Sequence, residues 1–340
     1  MRKYLALLLA AMMVLALAAG CGNNANEGGN SGKTFKIGMV TDVGGVNDKS
    51  FNQTSWEGLQ ALQASDSRFQ VQYLESKTDA DYQGNIETFM EDGYDLIICV
   101  GYMLANATKE AATANPDQKF AIIDDSSIDL PNVACLMFAQ NQASYLVGLV
   151  AGMMTESNTV GYVQGMYSDS MNQFAVGYIA GVKAANPDAE ILQYNANSFG
   201  DAAVGKTAAV DMITKGADVI YHAAGGTGSG VIEGCKENGI WAIGVDSDQS
   251  PLAPENVITS AMKRVDIASQ DISLAVLNDE FTGGVHQYDL TNGGVDIAPT
   301  QDLLTEEAIA AVEAAKEDIL SGAVVVPTTA EECPEFTLVG

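Results

Sequence analysis

From residue 35 onward, short runs of apolar and β-forming side chains alternate with longer segments whose apolar positions recur at helical spacing. FKIGMV, VQYLE, DLIICV, FAIID and VACLMF predict strands. Between them Trp56, Leu59 and Leu62, and then Ile86, Phe89 and Met90, fall on single helix faces. After residue 157 the alternation restarts: TVGYVQ, a helix over 174–185, EILQYN, a helix over 203–215, ADVIYHA, a helix ending at Asn238, then WAIGVD. Such alternation implies parallel sheets covered on both faces, and two rounds imply two similar α/β lobes. VITSAMKRVD leads into a helix over about 266–278, and Leu304, Ala308, Ala311, Ala315 and Ile319 mark another. This tail fits a chain that passes three times between lobes. The expected lobes are 34–142 with about 260–290, and 143–259 with about 291–340. Ligands of open parallel sheets bind beyond the carboxyl ends of strands, so chemistry is sought there.

The N-terminus reads differently. Arg2 and Lys3 precede an apolar run over 5–19, and small residues lead into Cys21, the layout of a secretory signal over 1–20. A cysteine at the cut resembles a bacterial lipobox, in which the thiol is diacylated and becomes the new N-terminus. A plain signal peptide with a chance cysteine is the alternative. Residues 22–33 are rich in Gly and Asn, unable to pack, and suited to a tether of about 20 Å. The expectation is an extracytoplasmic protein held at the cell membrane by lipid. After residue 19 no apolar run approaches the roughly 20 residues of a membrane span.

The remaining stretch of about 300 residues exceeds what a single core usually holds, in keeping with two lobes. Without Arg2 and Lys3 the chain keeps 14 basic residues against 44 acidic ones, a net charge of −30. That surface repels nucleic acid, and no basic patch with aromatics offsets it. Cys99 and Cys135 lie in apolar strand-like runs, as small buried hydrophobes do. No disulfide pair is identifiable among Cys99, Cys135, Cys235 and Cys333, and no Cys/His spacing suggests a metal.

Residues 200–207, GDAAVGKT, match the G-x-x-x-x-G-K-[ST] phosphate loop letter for letter. Asp201, however, would put a carboxylate inside the phosphate cradle, and the outer face of a membrane offers no comparable ATP supply. An ordinary loop and helix start is the preferred reading. Gly225, Gly226, Gly228 and Gly230 follow a strand and open a helix, but Val231 fails the third glycine of a dinucleotide fingerprint. Bare amides at a helix N-terminus binding a polar group, or a tight turn, remain open. His222 and His286 are the only histidines, with no nucleophile or metal motif beside them, so no catalytic residue and no cofactor is proposed. The densest polar stretch, TDVGGVNDKSFNQ at 41–53, joins the first strand to the first helix. Ser50 with Gln53 can form a capping box. Phe51 and Asn52 go beyond a cap: a flat ring beside a two-way amide suits a planar heterocycle.

These residues, with QASYLVGLVAGMM, VGYIAGVKAANP, NSFGDAAVGK, HAAGGTGSG, IGVDSDQ and TSAMKRVD, resemble the basic membrane protein family from about residue 35 to 299. Its members are bacterial lipoproteins that serve ABC importers as substrate-binding components, several of them for purine nucleosides. The resemblance implies a type I periplasmic-binding fold, two Rossmann-like lobes with parallel sheets joined by a three-strand hinge. It implies Phe51 and Phe199 stacking on a base, and Asp42 and Asn52 at its edge. Asp124, Asp246 and Lys263 would hold ribose hydroxyls, with Gly225 and Gly226 nearby. The sequence departs from the family pattern at GMYSDSMNQF, so the resemblance assigns no role to 166–170. The implied function is capture of a nucleoside and delivery to a membrane permease and its ATPase, by a monomer. A sensory lipoprotein, a binder of sugars or other small metabolites, and an NTP-using enzyme on 200–207 are the rivals.

Overall fold

The computed structural model describes residues 33–339; the expected signal, Cys21 and most of the tether lie outside them. Thr34–Gly340 form one compact unit. Among the described residues, no helix is long and apolar enough to cross a membrane.

The first lobe is laid down as β1 (Phe35–Val40), α1 (Phe51–Ser65), β2 (Phe69–Leu74), α2 (Asp81–Glu91), β3 (Leu96–Cys99), α3 (Ala105–Ala114), β4 (Lys119–Ile123) and β5 (Val133–Phe138). The second repeats the plan as α4 (Gln140–Met154), β6 (Thr159–Gln164), α5 (Asp169–Ala185), β7 (Glu190–Asn195), α6 (Ala202–Thr214), β8 (Val219–Ala223), α7 (Gly225–Asn238), β9 (Trp241–Asp246) and β10 (Val257–Lys263). The chain then adds α8 (Val265–Leu277), β11 (Gly284–Tyr288), β12 (Val295–Ile297) and α9 (Glu306–Ser321).

The two sheets have the same strand order, β11-β5-β4-β3-β1-β2 and β12-β10-β9-β8-β6-β7, so each strand of one lobe has a counterpart in the other. All described pairings are parallel except β10 with β12. Central strands are unbroken apolar runs because helices cover both faces; LIIC of β3 is wholly buried. The edge strand β7 is exposed at Glu190 and Tyr194, as an edge permits.

The chain crosses between lobes three times, at Ala139, at Arg264 and over 289–294. The first crossing precedes residue 142 because α4 packs with α5, β10, β12 and α9 of the second lobe. The crossing expected near 260 falls at Arg264 because β10 stays paired with β9. Beyond it α8 docks on α1, with Ser55 and Ser269 sharing a hydrogen bond of 2.8 Å. One apolar cluster runs through both lobes, and separate clusters fill the outer faces under α2–α3 and α6–α7. Cys99, Cys135, Cys235 and Cys333 are buried free thiols.

The most extensive helix packing is α4 on α5, made possible by glycines. A Cβ on Gly181 would lie 2.1 Å from the Tyr145 carbonyl oxygen, and one on Gly148 2.3 Å from that of Tyr178. Gly181→Ala must therefore push two backbones apart, at a cost of about 1–3 kcal/mol or more. Chemical denaturation is expected to show that loss; unchanged stability would mean the helices pack more loosely.

Candidate functional site

The site begins with a helix cap. Asp48 Oδ1 accepts from the backbone N–H groups of Ser50 (2.9 Å) and Gln53 (3.1 Å), and Oδ2 from that of Asn52 (2.8 Å). The capping box expected of Ser50 and Gln53 does not form, because Asp48 already satisfies those donors. Ser50 is thereby released, and its hydroxyl donates across the molecule to Asp246 Oδ2.

The same cap orients Asn52. Its Nδ2 donates to Asp42 Oδ1 (2.7 Å) and Asp48 Oδ2 (3.0 Å), while its Oδ1 accepts from the Asp42 N–H (3.2 Å). Both amide protons are committed, so Asn52 braces Asp42 and retains acceptor capacity only. Asp42 Oδ1 also accepts from the Gly44 N–H at 2.8 Å.

Asp124 and Asp246 follow β4 and end β9, strands that occupy equivalent places in the two sheets. Both adopt left-handed backbone, at φ 67° and 66°. That conformation, uncommon outside glycine, turns the chain sharply where each strand meets the cleft. Lys263, at the end of β10, donates from Nζ to Asp124 Oδ2 at 2.5 Å. Its ammonium lies 5.1 Å from the Phe51 ring centre and 5.2 Å from those of Phe138 and Phe174, an aromatic cage around a charge only 2% exposed. Asp124 Oδ1 is buried without a hydrogen-bond partner.

These groups line a narrow cleft between the lobes, with a cavity volume of about 40 Å³. Eight of the nine expected site residues, Asp42, Phe51, Asn52, Asp124, Phe199, Gly225, Asp246 and Lys263, are in its wall. Gly226 is not: it is the second residue of α7, where a Cβ would lie 3.2 Å from the Phe199 carbonyl oxygen. Asp48, Gly101, Tyr102, Met171, Phe174, Ala223, Ala224 and Val245 also line it. Most of these lie near the carboxyl ends of β3, β8 and β9, the positional signal that could have identified them. Residues 166–170 do not reach the cleft wall.

The phosphate-loop resemblance dissolves in three dimensions. Asp201 Oδ1 accepts from the Ala203 and Val204 N–H groups as an N-cap, occupying donors a phosphate would need. Lys206 points to Glu233 (3.2 Å) and Glu237 (2.8 Å).

The cleft is rich in acceptors and poor in cations. Burial raises the Asp42 carboxyl to about 6, against the opposing hydrogen bonds of Asn52 and Gly44. Burial likewise raises Asp246 to about 7, although Lys263 and Ser50 pull it down. Asp48 is raised for the same reason, its cap bonds opposing the shift. Such a wall suits a neutral ligand that donates hydrogen bonds and presents a flat apolar face.

Two like lobes around a cleft at their strand ends define a solute-binding protein of the type I periplasmic-binding class. A solved solute-binding protein of an ABC transporter system from Aeropyrum pernix superposes with a TM-score of 0.81 at 25% identity, over 87% of this chain and 95% of that one. The chain belongs to the Bmp family, described as PnrA-like ABC transporter substrate-binding proteins, whose model matches residues 35–330. It is 37% identical to the ABC transporter nucleoside-binding protein BmpA of Lactococcus lactis, over 96% of this chain and 99% of that protein. It is 39% identical to a CD4+ T-cell-stimulating antigen of Listeria monocytogenes, over 94% and 97%. The family is one of binding proteins rather than enzymes.

The raised carboxyls set a pH dependence. A carboxyl with a higher pKa in the folded state takes up a proton on folding, so its stabilising contribution is full below about 4 and is lost as pH rises through about 6 for Asp42 and about 7 for Asp246. Melting temperature should therefore fall between about pH 4 and pH 7, with general repulsion among the acids adding to the slope. Asp246→Asn isolates the local part: the variant should melt higher at pH 8 and show a flatter profile. An unchanged profile would mean that Asp246 does not titrate upward.

Proposed function

We propose that this protein captures a nucleoside, with a purine base favoured, and delivers it to an ABC permease in the membrane. The cleft wall is the observation that carries the proposal. Phe51 from the first lobe and Phe199 from the second supply apolar faces for a base. Asp42, braced by Asn52, accepts from the base edge. Asp124, with one free buried oxygen, and Asp246 accept from vicinal ribose hydroxyls, while Lys263 donates and offsets the acids. Four carboxylates around one ammonium disfavour phosphorylated or otherwise anionic ligands. Closure of the lobes would desolvate the ligand and present a shape that the permease recognises. The nucleoside-binding name of the Lactococcus relative supports the ligand class. Extracytoplasmic anchoring through Cys21 and a monomeric state complete the proposal. Sugars also stack on aromatics, so ribose and hexoses belong among the ligands tested.

The test is a thermal-shift and calorimetric panel on a chain starting at Thr34, unfolded and refolded to strip co-purified ligand. Purine and pyrimidine nucleosides, free bases, ribose, glucose, nucleotides and Mg-ATP form the panel. A ligand at about 1,000 times its dissociation constant stabilises by roughly 4 kcal/mol, several degrees in a protein of this size. Purine nucleosides are expected to shift the melting point and ribose, glucose and ATP to leave it in place. Phe51→Ala should weaken nucleoside binding about 5- to 100-fold, the worth of one stacked base. Asp246→Ala should weaken it at least as much by deleting an acceptor for ligand hydroxyls. Full affinity in both variants would remove the proposed site.

A further inference from the structure

Gln249 is buried, lies outside the cleft wall, and yet is the second-lobe side chain that holds the backbone of the 49–50 segment. Its amide is held in one orientation from three sides. Oε1 accepts from the Val245 N–H at 2.9 Å and lies 3.0 Å from His222 Nε2. Because a backbone N–H can only donate, the atom facing Val245 must be the oxygen, and His222 Nε2 must then carry a proton. The Gln249 backbone N–H donates to Ser260 Oγ at 3.1 Å. Gly244 leaves space for the amide: a Cβ there would lie 2.6 Å from Oε1. With Oε1 fixed inward, Nε2 points outward and donates to the Lys49 carbonyl oxygen at 2.8 Å.

Lys49 belongs to the first lobe. Its left-handed backbone, φ 60°, precedes Ser50, whose hydroxyl reaches Asp246. One dipeptide of the first lobe therefore meets the second twice, through a carbonyl to Gln249 and a hydroxyl to Asp246. The Asp246 bond is made to a residue of the cleft wall; the Gln249 bond is not.

We infer that Gln249 is a positioning residue for ligand capture, an interlobe latch whose amide is oriented by His222 and which favours the closed arrangement of the lobes without touching the ligand. Burial holds the His222 imidazole down at about 4, so the ring stays neutral and keeps the single-proton form this arrangement requires. A latch of this kind acts on dissociation: association occurs before the lobes meet, whereas release needs the Lys49 bond to break. This inference rests on the nucleoside proposal only for the ligand used in its kinetic arm.

The experiment measures lobe separation and ligand kinetics together. Spin labels at Lys77→Cys and Ala203→Cys, both exposed and on opposite lobes, report the interlobe distance, and the native thiols at 99, 135, 235 and 333 are buried. Stopped-flow fluorescence with inosine gives the rates. Gln249→Met keeps the volume and removes the donor. Gln249→Glu keeps an oxygen for Val245 and His222 and replaces only the donor that faces Lys49. Both are expected to shift the distance distribution to longer separations and to speed inosine dissociation about tenfold, the worth of one net hydrogen bond, with association unchanged. His222→Gln, which offers an N–H near the same place, should retain more of the closed population than His222→Leu. Unaltered distances and dissociation in both Gln249 variants would overturn the latch. So would a parallel loss of association and melting temperature, which marks a purely structural role. If inosine fails to bind the unaltered protein, the nucleoside proposal is at fault and the distance distributions alone decide the latch.

Discussion

A single buried ammonium among carboxylates is the constraint around which the cleft is organised. Lys263 sits at the end of a second-lobe strand, yet its ion-pair partner, Asp124, follows a first-lobe strand. Removing either partner would leave an uncompensated charge in a site with little access to water, which is far more costly than losing an exposed pair. The three phenylalanine rings around Nζ come from α1, β5 and α5, so the cage, like the ion pair, needs both lobes in place. One ammonium does not balance Asp42, Asp48, Asp124 and Asp246; burial is the main reason that the carboxyls of Asp42, Asp48 and Asp246 are raised, and repulsion from neighbouring aspartates adds to it at Asp42 and Asp246.

Duplication of one plan places these groups. Two sheets of identical strand order bring two sets of carboxyl ends to one cleft, and equivalent strands, β4 and β9, each deliver an aspartate in left-handed backbone. The cap of α1 does the rest. By taking over the helix's orphan N–H groups, Asp48 frees Ser50 to reach Asp246 and sets the amide of Asn52 against Asp42. Helix capping and interlobe contact are thus one network.

Much of the architecture is legible along the chain. Strand runs such as DLIICV and WAIGVD fall within a residue of β3 and β9, because buried parallel strands must be continuously apolar and the loops after them cannot be. Phe51 and Asp246 stand out because each is a chemically conspicuous residue on the carboxyl-end side of a strand. Other features resist such a reading. GDAAVGKT spells a phosphate loop, but Asp201 spends its carboxylate as a helix cap and Lys206 pairs on the outside of the lobe. Asn52 looks like a free two-way amide until Asp42 and Asp48 are seen to consume both its protons. Gly225 and Gly226 belong to the same motif and both lie against Phe199, but only Gly225 lines the cleft.

The sequence by itself determined the two-lobed α/β plan, the acidic character of the surface and the junctions where chemistry would collect, since periodicity and composition are local properties that survive without a fold. Only the tertiary structure decided which donors were already committed, which residues of the two lobes met and which way each amide faced. Those outcomes depend on pairs such as Asp124 with Lys263, Ser50 with Asp246 and Gln249 with Lys49, separated by 139 to 200 positions. Hydrogen bonds are saturable and directional, so a side chain's availability is fixed by the neighbours that reach it first, and those neighbours are assembled by folding.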